Sequence, residues 1–412
     1  MEISIDKNSF IEIRSDVLRR NINFFVVSFK KMIIPIIFIL FTVFLVVFSQ
    51  SNLVAAKNGL KLWANSVVPS LFPFFIATEL LGYTNIVPLL GKLLNKIMKP
   101  IFNVSGEGAF PLIMGIISGY PTGAKIVANF RKNGICTKAE AERLLAFTNN
   151  SGPLFIIGTV GISMFGYSKI GLLLLVTHIL ASLTVGFIFR FWKFNDNEYI
   201  DIRGNASTTS SNKEIKFSDL GKIIGNSISN ATSTILMIGG FVVLFSVIIS
   251  ILKNTYFIIA VSNVINPICN FFGLMTNYST SIVSGLLELT NGLNLVTSIN
   301  DGNISNNIIV SAFLLGFGSL SVLLQVFSVI SDTDISILPY FLGKCLQAVF
   351  AALYTFVFLH NSMMFNLDFS PSFLSLGENL VLLFIVLSLI LLLIYAFKNF
   401  SSKTNYKKSY IK

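Results

Sequence analysis

Two short polar tracts bearing glycine and proline, Gly119-Tyr120-Pro121-Thr122-Gly123-Ala124-Lys125 and Thr148-Asn149-Asn150-Ser151-Gly152-Pro153, interrupt segments otherwise apolar enough for a bilayer. Hydrocarbon offers no water to satisfy loose backbone groups, so broken backbone at membrane depth persists only where protein buries it or where it lines a wet cavity. Two breaks close together therefore point to a solute path rather than a passive anchor. A weaker counterpart lies in the second half, Glu288-Leu289-Thr290-Asn291-Gly292 with Gly316-Phe317-Gly318-Ser319-Leu320-Ser321.

The bilayer itself is read from composition. Hydrophobic residues make up 53% of the chain and charged residues 12%, against roughly a quarter charged in a soluble domain. Runs at 33–48, 170–189, 235–252, 337–359 and 380–397 approach the roughly 20 apolar residues that cross hydrocarbon. The first run reads as an uncleaved span and not as a signal peptide: its leader is long, and Val54-Ala55-Ala56 is a poor cleavage site. Cys136, Cys269 and Cys345 are isolated, which suggests neither a disulfide framework nor a zinc site. The net charge of +11 is read as cytoplasmic loops, with no nucleic-acid partner.

Basic residues cluster in the leader (Arg14, Arg19, Arg20), at 83–138 (Lys92, Lys96, Lys99, Arg131, Lys132), around a polar linker (Arg190, Lys193, Arg203, Lys213, Lys216, Lys222) and in the tail (Lys407, Lys408). The positive-inside rule places all four in the cytoplasm. Spans near 33–50 and 64–82, an amphipathic stretch at 84–104 on the inner surface, a re-entrant hairpin at 106–132, a broken helix at 137–166 and a span at 169–192 satisfy it. The second half repeats the plan from the opposite side: a span at 229–252, an outer interfacial stretch at 254–280, a hairpin at 281–300, a broken helix at 303–330, and spans at 336–360 and 378–397. A shift of about 168 positions brings Thr122 onto Thr290, Asn133-Gly134 onto Asp301-Gly302, and Ser151 onto Ser319. The expected fold is an all-α polytopic membrane protein with about eight transmembrane spans and two re-entrant hairpins in an inverted repeat, both termini cytoplasmic. Such repeats are typical of secondary transporters, whose sites sit where broken helices meet.

Within that plan, Ser151-Gly152-Pro153 starts a half-helix, with Pro153 in the first turn where its missing N–H costs nothing. Free amides near Ser151 and Leu154, aided by the helix dipole, suit a carboxylate, phosphate or hydroxyl. Thr148, Asn149 and Asn150 suit a hydrogen-bonding solute, or else only seal helix ends against one another. Gly119, Pro121 and Gly123 shape the first hairpin tip, where Tyr120 and Thr122 line or pack. Lys125 faces a cavity or partner, or snorkels to the surface. Glu288, with Thr290, Asn291 and Gly292, forms the second tip; it holds a proton, pairs with a cation or binds a coupling ion (H+ or Na+), or pairs structurally with Lys125. Gly316, Gly318 and Ser319 make the second break, followed by Gln325. Glu79 and Glu107 read as interfacial, and Thr137-Lys138-Ala139-Glu140 as a capping box. His178 and His360 stand alone in apolar spans, so no metal site or cofactor is expected. HExxH and GxGD are absent, and Ser250-Ile251-Leu252-Lys253 is a bare SxxK without a catalytic constellation, so no enzyme is expected.

Gly115-Ile116-Ile117-Ser118-Gly119-Tyr120-Pro121-Thr122-Gly123-Ala124-Lys125, then Ala139-Glu140-Ala141-Glu142-Arg143-Leu144-Leu145 and Phe147-Thr148-Asn149-Asn150-Ser151-Gly152-Pro153-Leu154-Phe155, resembles the sporulation integral membrane protein family of endospore-forming bacteria (YlbJ-type). Pro69-Ser70-Leu71-Phe72-Pro73-Phe74 and Gly285-Leu286-Leu287-Glu288-Leu289-Thr290-Asn291-Gly292 extend the likeness. The resemblance implies a role in building the spore cortex and envelope. It also implies repeated units similar to the gate domain of nucleoside transporters and of the ferrous-iron transporter FeoB. The chain then divides into a leader (1–31), a first span with an outer segment (32–63), gate-type repeat 1 (64–192), a linker (193–222), gate-type repeat 2 (223–361), a last span (362–397) and a tail (398–412). The expected partners are the lipid bilayer, an unidentified small polar solute and a coupling ion, with room for a homo-oligomer. The expected location is a multi-pass position in the bacterial cytoplasmic membrane, in the mother cell or around the forespore. A scaffold that assembles the spore envelope without transporting is the alternative to a permease-like gate.

Overall fold

The computed structural model describes residues 32–84, 86–194, 219–300 and 302–362. The leader, most of the linker, nearly all of the 362–397 segment and the tail lie outside them. All regular elements among the described residues are helical. The chain separates into two bodies, the first ending at Ala55. In the first, helix α1 (Met32–Val47) exposes Ile34, Phe38, Ile39 and Val46, the surface of a helix that faces lipid.

Helix α2 (Ser49–Leu62) leads through a wide π-helical turn at Trp63–Val67 into α3 (Val68–Gly82). Pro69 has no N–H to donate and Pro73 repeats the loss four residues on, which favours the widened turn. The expected span at 64–82 is therefore this turn plus a helix of 15 residues. Trp63 anchors it by donating from Nε1 to Ile235 O at 3.0 Å. Next come α4 (Ile86–Phe102), the hairpin pair α5 (Ala109–Ser118) and α6 (Thr122–Lys132), α7 (Lys138–Thr148), the π-wound α8 (Leu154–Met164) and α9 (Ser168–Phe189). The capping box forms: Thr137 Oγ1 accepts from Glu140 N and Glu140 Oε2 accepts from Thr137 N.

Past the linker, the order of elements recurs. A long helix α10 (Leu220–Asn254) and an amphipathic α11 (Phe257–Phe271) precede a second hairpin, α12 (Thr276–Leu287) with α13 (Leu289–Thr297). A second broken helix, α14 (Ile304–Phe317) with α15 (Leu320–Ile330), is closed by α16 (Leu338–Ser362). Gly134 (φ 66°) and Gly302 (φ 77°) stand at matching places between hairpin and broken helix, where positive φ turns the chain. Helices Ser168–Phe189, Leu220–Asn254, Ile304–Ile330 and Leu338–His360 are long and apolar enough to cross a membrane, making four among the described residues, or up to six counting two bent pairs.

The interior has two main apolar clusters. One packs Phe102, Phe110, Phe130, Leu144, Phe147 and Phe189 around the first hairpin and α7. The other packs Ile156, Ile170, Leu174, Leu293, Ile308 and Leu314 around α8, α9 and α14. α16 touches α7, α9 and α14. The two helix breaks meet beside it.

Candidate functional site

The first break begins where α7 ends at Thr148 and Asn149 turns extended (φ −95°, ψ 99°). The first hairpin seats on it through missing side chains. A Cβ at Gly115 would lie 1.8 Å from Thr148 O, and one at Gly123 2.3 Å from the same oxygen. Gly119 adopts φ 80° at the tip, beside Gly152 N, and the Tyr120–Pro121 peptide is cis. Close backbone approach, then, explains Gly115 and Gly123, and a left-handed conformation explains Gly119.

The amide side chains of the break are held by neighbouring elements, while Thr148 Oγ1 is buried with no hydrogen-bond partner among the described residues. Asn149 Oδ1 accepts from Ala124 N at 3.4 Å, and its Nδ2 donates to Tyr340 Oη at 3.1 Å. Asn150 Nδ2 donates to Phe147 O and to Ser182 Oγ, while its Oδ1 accepts from Gln347 Nε2 at 2.9 Å. Ser151 N donates to His178 Nε2 at 3.3 Å, which assigns the ring proton to Nδ1. That amide, expected to be open to a solute, is thus already engaged. Thr148, Asn149, Asn150 and Ser151 are all buried.

At the centre stands Lys344 of α16, 2% exposed. Its Nζ donates to Gln347 Oε1 at 2.8 Å and lies 5.4 and 5.7 Å from the ring centroids of Tyr120 and Tyr340. No carboxylate among the described residues pairs with it. Tyr120 links this centre to the second break: its hydroxyl donates to Leu315 O at 3.3 Å and approaches Gly318 (φ 82°). Ser319 caps α15 by accepting from Val322 N. The half-helix starts at Leu154 and Leu320 bring partial positive charge to the same region, and the ends of α7 and α14 bring partial negative charge.

The second hairpin closes tightly, with a Cβ at Gly292 falling 2.1 Å from Gly285 Cα. Glu288 is its hinge. The carboxylate accepts from Thr290 N at 3.1 Å and Asn291 N at 2.7 Å and so caps α13. Beside it opens a cavity of about 410 Å³ lined by Thr159, Ser163, Thr290, Asn291, Asn294, Thr297 and Ser298, with Leu62 and Met164 as its apolar wall.

The structure thus gathers Tyr120, Thr148, Asn149, Asn150, Ser151, Gly318 and Ser319 at one junction and puts Thr290 and Asn291 on the cavity wall, with Glu288 buried next to them in the chain. Thr122 is buried at the start of α6, Gly152 and Pro153 lead into α8, Gly316 packs on α16, and Gln325 is buried along α15. Lys125 is elsewhere: it bonds Glu79 at 2.6 Å and Thr234 at 3.2 Å, not Glu288. The pairing of Lys125 with Glu288 is corrected, because each already has partners on its own side. Glu79, which also accepts from Asn230 Nδ2 at 2.9 Å, is the partner of Lys125. Sequence reasoning passed over Tyr340, Lys344 and Gln347. A lysine in the middle of the apolar run 337–359 was the available signal. Among the described residues there is no group of three metal-type ligands, and His178 instead accepts from Ser151 N. It belongs to the junction.

Residues 64–187 match the Gate family, described as "Nucleoside recognition". The chain is 36% identical over 334 residues to the sporulation integral membrane protein YlbJ of Bacillus subtilis (strain 168), covering 79% of this chain and 82% of that protein. Among solved structures, CNTnw in an inward-facing substrate-bound state aligns at 13% identity, with a TM-score of 0.45 over 71% of this chain and 75% of that one. An outward-facing state of CNTnw aligns with a TM-score of 0.44 over 72% and 76%.

Proposed function

The chain belongs to the sporulation integral membrane protein family typified by YlbJ, and from that premise we propose that it serves endospore formation as a membrane gate for a small polar solute carrying negative charge. In this reading the two recurring units are inverted relative to each other and both termini are cytoplasmic, which the distribution of Lys and Arg along the sequence supports. The observation that carries the charge of the solute is Lys344. An ammonium at 2% exposure with one amide oxygen and two ring faces is poorly compensated for its lost hydration. An anionic group arriving at the junction completes it, assisted by the half-helix starts at Leu154 and Leu320. Asn149, Asn150 and Gln347 then exchange bonds among themselves for bonds to the solute.

In the conformation described, the junction is closed and the cavity beside Glu288 is the wet side of the path. A coupling ion, H+ or Na+, acts at Glu288, whose carboxylate already draws in two backbone N–H groups.

The test is uptake by reconstituted vesicles of carboxylated and phosphorylated solutes against neutral nucleosides, with wild type, Lys344→Gln and Lys344→Arg at matched abundance. The expected result is uptake of an anionic class that Lys344→Gln abolishes and Lys344→Arg partly retains. Uptake of neutral nucleosides unaffected by Lys344→Gln would overturn the anionic reading. Normal heat-resistant spores from Lys344→Gln in a host lacking the native copy would move the scaffold reading forward.

A further inference from the structure

Helix α4 carries two stripes that its packing does not explain. Its inner face, Leu94, Met98, Ile101 and Phe102, packs into the apolar cluster around the first hairpin. Outside, Leu89 is 60% exposed, Leu93 69% and Ile97 40%. Lys92, Lys96 and Lys99 are exposed as well. At 100° per residue, the three lysines fall within an arc of about 60°, flanking the Leu89–Leu93–Ile97 stripe. None of the three lysines makes an ion pair or hydrogen bond with a described residue.

The helix also lies across the fold. Lys92–Phe102 and Gly106–Ser118 meet at 90°. If the hairpin dips into the membrane, α4 runs along its surface. The leucine stripe then sits in the hydrocarbon boundary and the lysine stems reach up to headgroup level. The partner's chemistry follows from the charge. Three cations at i, i+4 and i+7 span about 10 Å of helix and present a row of donors with no acid among them. The corresponding helix of the second unit, α11, also exposes apolar residues (Ile259, Val264, Ile268) but carries no lysine or arginine. The charge is therefore particular to α4 and not a requirement for lying in an interface.

We infer that Lys92, Lys96 and Lys99 form a binding site for the phosphates of anionic phospholipids, which fixes α4 and the first hairpin in the cytoplasmic leaflet. The inference stands on the geometry of α4 and is independent of which solute, if any, crosses the junction.

The experiment is thermal unfolding of the purified chain in nanodiscs of pure phosphatidylcholine and of phosphatidylcholine with 30% phosphatidylglycerol (roughly one charge per three lipids). Wild type is expected to melt higher in the anionic discs. Lys92→Gln/Lys96→Gln/Lys99→Gln should lose most of that difference, while the matching triple arginine variant and the control Lys57→Gln/Lys61→Gln keep it. No difference for wild type, or a difference that survives in the triple glutamine variant, would overturn the inference. An equal rise from inorganic phosphate in neutral discs would overturn lipid as the ligand. Native mass spectrometry of lipid retained by each variant serves as the second readout: equal numbers of phosphatidylglycerol molecules on wild type and triple glutamine variant would also overturn it.

Discussion

A single methyl group tests whether the first hairpin is seated on the first break. In Gly123→Ala, the new Cβ falls 2.3 Å from Thr148 O, 2.7 Å from its carbonyl carbon and 3.0 Å from Asn149 Cα. All three are backbone atoms, so no side-chain rotation relieves the overlap. Gly123 has ordinary negative φ, which leaves sterics as the only penalty. Reaching 3.0 Å from Thr148 O forces hairpin and break apart by about 0.7 Å in an interior packed like a crystal. Ala124 N already stands 3.4 Å from Asn149 Oδ1, so a movement of that size breaks the bond. Overpacking costs about 1–3 kcal/mol and a stranded buried acceptor about 1–3 more, together roughly 2–6 kcal/mol. At about 2 °C per kcal/mol, the low end of the scale for large domains, the melting temperature falls by roughly 4–12 °C. The assay is the fraction of monodisperse protein remaining after heating in nanodiscs. Gly240→Ala is the control: no heavy atom lies within 4 Å of its Cβ, and removing a helical glycine stabilises by about 0.5–1 kcal/mol. If Gly123→Ala melts with wild type while Gly240→Ala shifts as expected, the hairpin is not held on the break and the junction argument fails.

Three further outcomes are expected. In a chain with Cys136, Cys269 and Cys345 replaced by alanine, Asn291→Cys at the cavity should react with an aqueous thiol reagent, whereas Asn149→Cys, at a fully buried position, should be protected; equal rates in folded protein would show that the junction is open to water. Lys125→Met strands Glu79 and should cost about 1–2 kcal/mol, discounted from the roughly 3–5 of a fully buried pair, while Lys125→Met/Glu79→Leu recovers part of it; a double variant as unstable as the two losses added would remove the coupling. Hydrogen bonding from Arg131 is the main cause that holds the Asp334 carboxyl below its usual 3.8, so the pair's stabilisation is present above pH 3.8 and lost as pH falls below it. Because Asp334 is half exposed, Asp334→Asn should cost under about 1 kcal/mol at pH 7, and its stability curve should merge with wild type in acid; a gap that persists unchanged below pH 3 would refute the assignment.

What the sequence made legible was whatever breaks a helix. Gly119, Pro121 and Asn149–Pro153 carry their meaning locally, because positive φ, a missing N–H and the end of a helix are properties of one or two residues. The hairpin and broken-helix boundaries follow from these within a few positions. Partnership was not legible in the same way. Glu288 satisfies itself by capping its own helix, and Lys125 finds Glu79, 46 positions earlier; neither fact is encoded in spacing. Lys344 and Gln347 were missed because a helix as apolar as α16 reads as plain span, and their importance arises only when Gly343 and Gly316 let α7 and α14 press against it.

Those two contacts give α16 a mechanical role. A Cβ at Gly343 would strike Ala146 O at 2.5 Å, just ahead of the first break, and one at Gly316, just ahead of the second, would strike Gln347 O and Ala348 Cα at 2.7 Å. The two meshing points lie five residues apart on one rigid helix, about 7.5 Å along its axis. Without side chains between them there is no slack to absorb a displacement, so a slide or roll of this axle must turn both joints together. A change that displaces α16 at one break is therefore felt by the backbone at the other.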